Sequence, residues 1–342
     1  MNSLLRSIDR VVEGRALGRA LLVLTPLIAA AFGTGDPLWI PAALVTASSF
    51  IAMEQVRLAP LGVALYGLAI AIGFLLLMVT LPSPPLFALA AAGIATATVL
   101  VSAKGHRLRK PGNFVFIASL YMACELAEIG SGPSIERALA FLPYLAIALV
   151  PVLLLSAIEH AHDRDHDVAP IAHLVSMRSR RGDLGSAVPV GEAAAAIAGA
   201  VAVAALLIEW RHPSHAQWIV WSAASVVTGD VTSARRKLGD RALGALIGVP
   251  IGIALALAAP DASWLLKSAA IVGLLTLIVF RLYPVAFGVR CAVIAFALSI
   301  AGELSGAAVR VENVLVGGAI GLALVFTTHA VAKHFARKSS SS

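Results

Sequence analysis

The chain has 342 residues, of which 59% are hydrophobic and only 13% charged. Water-soluble domains run near half apolar and a quarter charged, so no single soluble core could hold this much apolar surface, and the composition excludes a soluble enzyme or binding domain. The class it sets is an all-α integral membrane protein, and the net charge of +7 is met by Lys and Arg facing anionic lipid, with no nucleic-acid partner inferred.

In chain order, Arg6, Asp9, Arg10, Glu13, Arg15 and Arg19 suit a short amphipathic helix on the cytoplasmic surface. No small-residue cleavage site follows it, so it is expected to stay attached. A spanning helix needs about 20 mostly apolar residues. Candidate spans fall at 18–34, 38–53, 60–80, 84–103, 112–130 and 138–158, and again at 189–209, 216–232, 241–259, 263–280, 284–307 and 313–334. Residues 1–158 thus form the amphipathic segment and a first set of six, and 159–188 a charged cytoplasmic loop. Residues 189–335 form a second set of six, and 336–342 a polar tail. The loop contains His160, His162, His166 and His173 with Asp163, Asp165 and Asp167, at spacings that match no standard ligand pattern, so no metal site is expected. Cys124 and Cys291 lie in apolar runs and read as free buried thiols.

Placing the N-terminus in the cytoplasm leaves only Arg137, Arg211, Lys267 and Arg310 outside, and every other Lys and Arg inside. This is the bias the positive-inside rule requires, and it puts both termini in the cytoplasm. The halves also repeat. Trp39-Ile40 aligns with Trp218-Ile219, Leu61-Gly62 and Gly67 with Leu238-Gly239 and Gly244, and Glu125 with Glu303, at an offset of about 178. Six spans per repeat is an even number, so the repeats share one orientation. They should be related by a pseudo-twofold axis along the membrane normal, with the substrate path between them.

Trp218, the basic run Arg235, Arg236 and Lys237, then Arg241 before Gly244 and Gly248, resemble the fusaric acid resistance protein-like family, which includes aromatic acid exporters. Arg310 ahead of the Gly-rich Val316 to Gly321 resembles a second feature of that family. The resemblance covers about 190–335 best and 20–157 less well. It implies a bacterial inner-membrane exporter of aromatic carboxylic acids or similar toxic organic anions, driven by protons. Related plant malate channels imply that a cationic path between two six-span units can pass anions. Two departures stand out: the central loop is short where many members have a large cytoplasmic domain, and no Arg near Ala64 matches Arg241.

Arg235, Arg236 and Arg241 are the candidate carboxylate-binding cations, with Lys237 beside them at the cytoplasmic mouth, since guanidinium pairs with carboxylate and focuses anions by its field. Plain positive-inside placement is the competing reading for Arg235, Arg236 and Lys237. Arg241 opens a helix whose Gly244, Gly248 and Gly252 form a face that can approach another helix closely. Trp218 and Trp221 could stack an aromatic substrate or, like Trp39, Trp210 and Trp264, anchor at the headgroup belt. Glu125 and Glu303 are the candidate proton-coupling pair, each expected roughly 18 Å along its span. Shorter spans would instead leave them at the outer interface beside Glu128 and Arg310.

The partners expected are a small organic anion, protons and membrane lipid, with a periplasmic adaptor and a homo-oligomer both left open. No catalytic set or cofactor motif is found, which points away from an enzyme. A channel-like anion conduit, a major-facilitator-type transporter and a non-transport scaffold or lipid-handling protein remain alternatives.

Overall fold

The computed structural model describes residues 11–103, 105–130, 132–162, 174–176, 190–211, 215, 217–259 and 263–339. Within them the chain forms twelve α-helices: α1 (Gly14–Thr34), α2 (Trp39–Val56), α3 (Pro60–Thr80), α4 (Pro84–Ser102), α5 (Arg109–Ile129), α6 (Ile135–His162), α7 (Val190–Arg211), α8 (Gln217–Val226), α9 (Val231–Ala258), α10 (Ser263–Leu275), α11 (Tyr283–Ile300) and α12 (Leu304–Ser339). Among the described residues there is no strand, only the isolated bridges Val12 to Phe280 and Leu58 to Ser176.

The twelve helices lie where the twelve apolar runs lie, but they are not alike. Nine are long and apolar enough to cross a membrane, and α2, α8 and α10 are not among them. The long helices leave Leu65, Leu68, Ile72, Leu89, Leu154, Leu243, Ile247 and Leu255 exposed. That is the pattern of helices solvated by lipid rather than water. By contrast α2 and α8 are almost wholly buried, including the hydroxyl residues Thr46, Ser48, Ser49, Ser222 and Ser225. They are surrounded by protein.

Pairing of elements follows one scheme in each half. In the first, α3 packs on α5 and α6, and α2 on α6; in the second, α9 packs on α11 and α12, and α8 on α12. Between the halves, α4 packs on α7 and α10 on α1 and α2. Small residues make the closest of these contacts. A Cβ at Gly244 would lie 2.9 Å from the Phe287 ring, and one at Gly248 or Gly252 would run into the carbonyl oxygen of Gly288 or Ala292 on α11. Gly317 and Gly321 bring α12 equally close to the backbone of α8 at Ile219 and Ala223.

Three boundaries differ from the sequence reading, with consequences for the site. The span expected at 216–232 is a ten-residue helix that stops at Val226. The basic run is no turn: Arg235, Arg236, Lys237 and Arg241 all lie in the first three turns of α9, which starts at Val231 because Asp230 caps it. The run expected at 284–307 breaks after Ile300, with Gly302 at φ +85, so Glu303 stands in the junction before α12 and not inside a span. The remaining loop histidines and aspartates, the first ten residues and the end of the tail lie outside the described residues. Cys124 and Cys291 are free.

Candidate functional site

The site begins where α8 ends. Val227-Thr228-Gly229 leaves the helix, with Gly229 at φ +98, a conformation that glycine adopts without strain. Asp230 then accepts a hydrogen bond from the Ser233 amide at 2.8 Å and starts α9. That bond holds the Asp230 carboxyl below the usual carboxylate range. The end of α8 leaves carbonyls without partners in the helix. Arg109, at the start of α5, donates to the first two carbonyls past the helix, Thr228 O and Val227 O, the second at 2.8 Å. A cation of the first half thus grips the broken helix of the second.

Around this break lies a cavity of about 960 Å³, lined by residues from both halves. Its walls come from the C-terminal ends of α2, α4 and α8 and the N-terminal ends of α5, α9 and α11, so it belongs to one end of the bundle. Arg107, Arg109, Lys110, Lys237, Arg241, Arg281 and Arg290 reach it, against one lining carboxylate among the described residues, Asp230. Phe114, Trp221, Phe280 and Tyr283 supply aromatic surface between the cations. Such a chamber, with one sign of charge and low-dielectric walls, concentrates anions.

Two of these cations are deep. Arg241 is 4% exposed; it donates to Ser222 Oγ at 2.7 Å and to the Tyr283 hydroxyl at 3.2 Å, and its guanidinium lies 4.3 Å over the Phe287 ring. Its Nε has no hydrogen-bond partner. Arg290 is 8% exposed and donates to the Thr276 hydroxyl at 2.8 Å and carbonyl at 3.0 Å. Among the described residues neither forms an ion pair with a carboxylate. Burying a charge without a counter-ion is costly, so the position favours an anion of matching shape.

The opposite end of the bundle has the reverse character. There the C-terminal end of α5 brings Glu125 and Glu128, and the α11–α12 junction brings Glu303. His215 stands before α8 in left-handed backbone, φ +52. Its Nε2 lies 2.9 Å from Glu303 Oε2 and its Nδ1 3.7 Å from Glu128 Oε2. The imidazole stacks on Trp218 at 4.7 Å. Glu125 is half-buried, and Tyr121, Glu128 and Glu303 are close enough to act on it electrostatically.

The sequence candidates therefore separate. Arg241 and Trp221 line the cavity. Arg235 and Arg236 are exposed on the outside of α9, Arg235 lying over Phe326 at 4.6 Å, because a helix in place of the turn swings them away while Lys237 points in. Trp218 is buried at the far end of α8 and is not a headgroup anchor, whereas Trp210 and Trp264 are exposed. Glu125 and Glu303 do meet in one cluster, at the bundle end rather than at depth. Gly244, Gly248 and Gly252 face α11.

Sequence reasoning missed Arg109, Lys110 and Arg290 as cavity residues by counting them toward topology, while Lys237, read with the basic run, does line the cavity. For Arg290 a signal existed, since it stands inside the apolar run of α11 and an ionisable group there seldom faces lipid. His215 offered none.

Residues 200–324 match the fusaric acid resistance protein-like family. The family resemblance read from Trp218, Arg241 and the glycines of α9 is thereby supported. The matched stretch runs from α7 to α12 and holds Arg241, Arg290, His215, Glu303 and the break between α8 and α9. The opposing wall of the cavity, with Arg109 and Lys110, lies before it. No curated protein and no solved structure matches the chain. The match and the nine long apolar helices together point to a multi-pass membrane protein.

Proposed function

We propose that the protein exports small organic anions, with aromatic carboxylates the best-fitting class, across the bacterial inner membrane. The observation behind this reading is the 960 Å³ cavity between the two halves, where seven cationic side chains and four aromatic ones face a single carboxylate. A carboxylate entering it would meet Lys237, Lys110 and Arg109 near the mouth and Arg241 and Arg290 at depth, with Trp221 and Tyr283 available to its ring. The positive-inside count supports a cytoplasmic position for the cavity end and both termini, and a cationic mouth on that side fits export.

The parallel pairing of α3 with α5 and α6, and of α9 with α11 and α12, supports two repeats of like orientation that rock about the cavity. Glu125, Glu128, Glu303 and His215 at the far end are the groups proposed to exchange protons with the outside as the anion leaves. The glycine seam of Gly244, Gly248 and Gly252 would keep α9 and α11 moving as one body.

The test is uptake and release of labelled benzoate by proteoliposomes, with an imposed pH gradient and a separately clamped membrane potential. Accumulation driven by the pH gradient supports coupled export. Flux that follows only the electrochemical gradient of benzoate would indicate a passive conduit, and no carboxylate flux under any condition would refute the transport reading.

A further inference from the structure

We propose that Arg310 forms a second anion subsite, beyond the cavity and one helical turn further along α8, which takes the carboxylate from Arg241 and passes it toward the opposite face. This inference rests on the transport reading above. Arg310 stands in the second turn of α12, is 3% exposed and does not line the cavity. Its Nε and Nη1 have no hydrogen-bond partner. Cys291 on α11 and Tyr121 on α5 lie close enough to act on it electrostatically, and among the described residues no carboxylate pairs with it.

A purely structural cation–π tie would need only the guanidinium face, which lies 4.3 Å over the Trp218 ring. It would leave no reason to bury in-plane N–H groups without acceptors. A guanidinium keeps its charge under all physiological conditions, so Arg310 is not a proton carrier either. Unmet N–H donors on a permanent, desolvated charge are what a carboxylate oxygen would accept from.

The placement makes it the next step. Arg241 donates to Ser222 and Arg310 covers Trp218, both on α8. Residues four apart lie on one helical face, about 6 Å apart along the axis. Arg109 holds the chain just past this helix at Val227 and Thr228, so three arginines from α5, α9 and α12 meet α8 and its exit at successive depths. Beyond Arg310 the sign reverses. Glu303 opens the same helix about 10 Å earlier, with Glu128 and His215 against it. An anion would gain nothing by remaining past Arg310, which is what a release step needs. Gly317 and Gly321 seat α12 tightly on α8, fixing Arg310 against Trp218.

The experiment is equilibrium binding of labelled benzoate to the full chain in detergent, followed by transport in proteoliposomes. Two benzoates per wild-type chain are expected, falling to one in Arg310→Gln. Transport should slow at least about tenfold with KM within about twofold, because capture at the cavity is untouched. Should Arg310→Gln fail to fold, Arg310→Lys keeps the charge and the contact with Trp218 and should weaken the second site by about tenfold or more. One benzoate per wild-type chain, lost in Arg241→Ala, would overturn the subsite and leave the transport reading standing. Two benzoates with unchanged affinity in both Arg310 variants would also overturn it, and no benzoate bound by wild type would overturn both.

Discussion

His215 Nε2 lies 2.9 Å from Glu303 Oε2, although the two residues are 88 apart in the chain. The contact joins the entrance of α8 to the entrance of α12. The same imidazole reaches toward Glu128 on α5, so one titratable ring links elements of both halves at the end away from the cationic cavity. Glu303→Gln keeps the shape of the side chain and removes its charge. We expect loss of benzoate flux driven by a pH gradient, with benzoate binding kept within about twofold. Unchanged pH dependence of transport in this variant and in Glu125→Gln would remove both carboxylates from coupling.

Arg241 and its neighbours Arg235 and Arg236 separate a binding role from a topological one. Removing a charge-assisted hydrogen bond to an anion costs about 1.5–3 kcal/mol, so Arg241→Ala should raise KM for benzoate by roughly tenfold to a hundredfold. Arg235→Ala and Arg236→Ala, both on the exposed side of α9, should change it by less than about twofold. Equal effects in all three variants, measured as initial rates over a benzoate series, would return Arg241 to a purely topological role.

The seam between α9 and α11 should tolerate no side chain. A Cβ at Gly248 meets the carbonyl oxygen of Gly288, a backbone atom that cannot rotate away. Overpacking of this kind costs about 1–3 kcal/mol or more, and Gly248→Leu should lower the thermal midpoint in detergent and reduce the folded yield. Gly239→Ala, where nothing lies within 4 Å, is the control and should behave as wild type.

Asp230 provides the pH test. Its carboxyl titrates lower in the folded chain than in the unfolded one because the Ser233 amide stabilises the charged form. The stabilisation is therefore full above the ordinary carboxylate range and is lost as pH falls through the lower folded value. Asp230→Ala should cost about 1 kcal/mol near neutral pH, and the gap to wild type should close on acidification below about pH 4. A gap that stays constant from pH 7 to about pH 3 would show that the cap charge contributes nothing.

Much of this protein was determined by its sequence. The apolar runs fix twelve helices because a chain in lipid must satisfy its own backbone hydrogen bonds. The glycines spaced four apart in α9 mark a helix contact because that spacing puts a bare backbone on one face. Arg241, at the head of such a face, could be singled out for the same reason.

What tertiary structure decided is which charges share a space. Linear counting treats Arg109, Lys110 and Arg290 as topology signals. Only the packing of α5, α9 and α11 around the broken end of α8 turns them inward onto one cavity and leaves Arg235 and Arg236 outside. The helix phase, which Asp230 sets by starting α9 at Val231, decides that division. Arg310 was legible as an outer cation next to a glycine-rich helix. Its burial against Trp218, with two donors unmet, comes from the close seating of α12 on α8, which no spacing within either helix reveals.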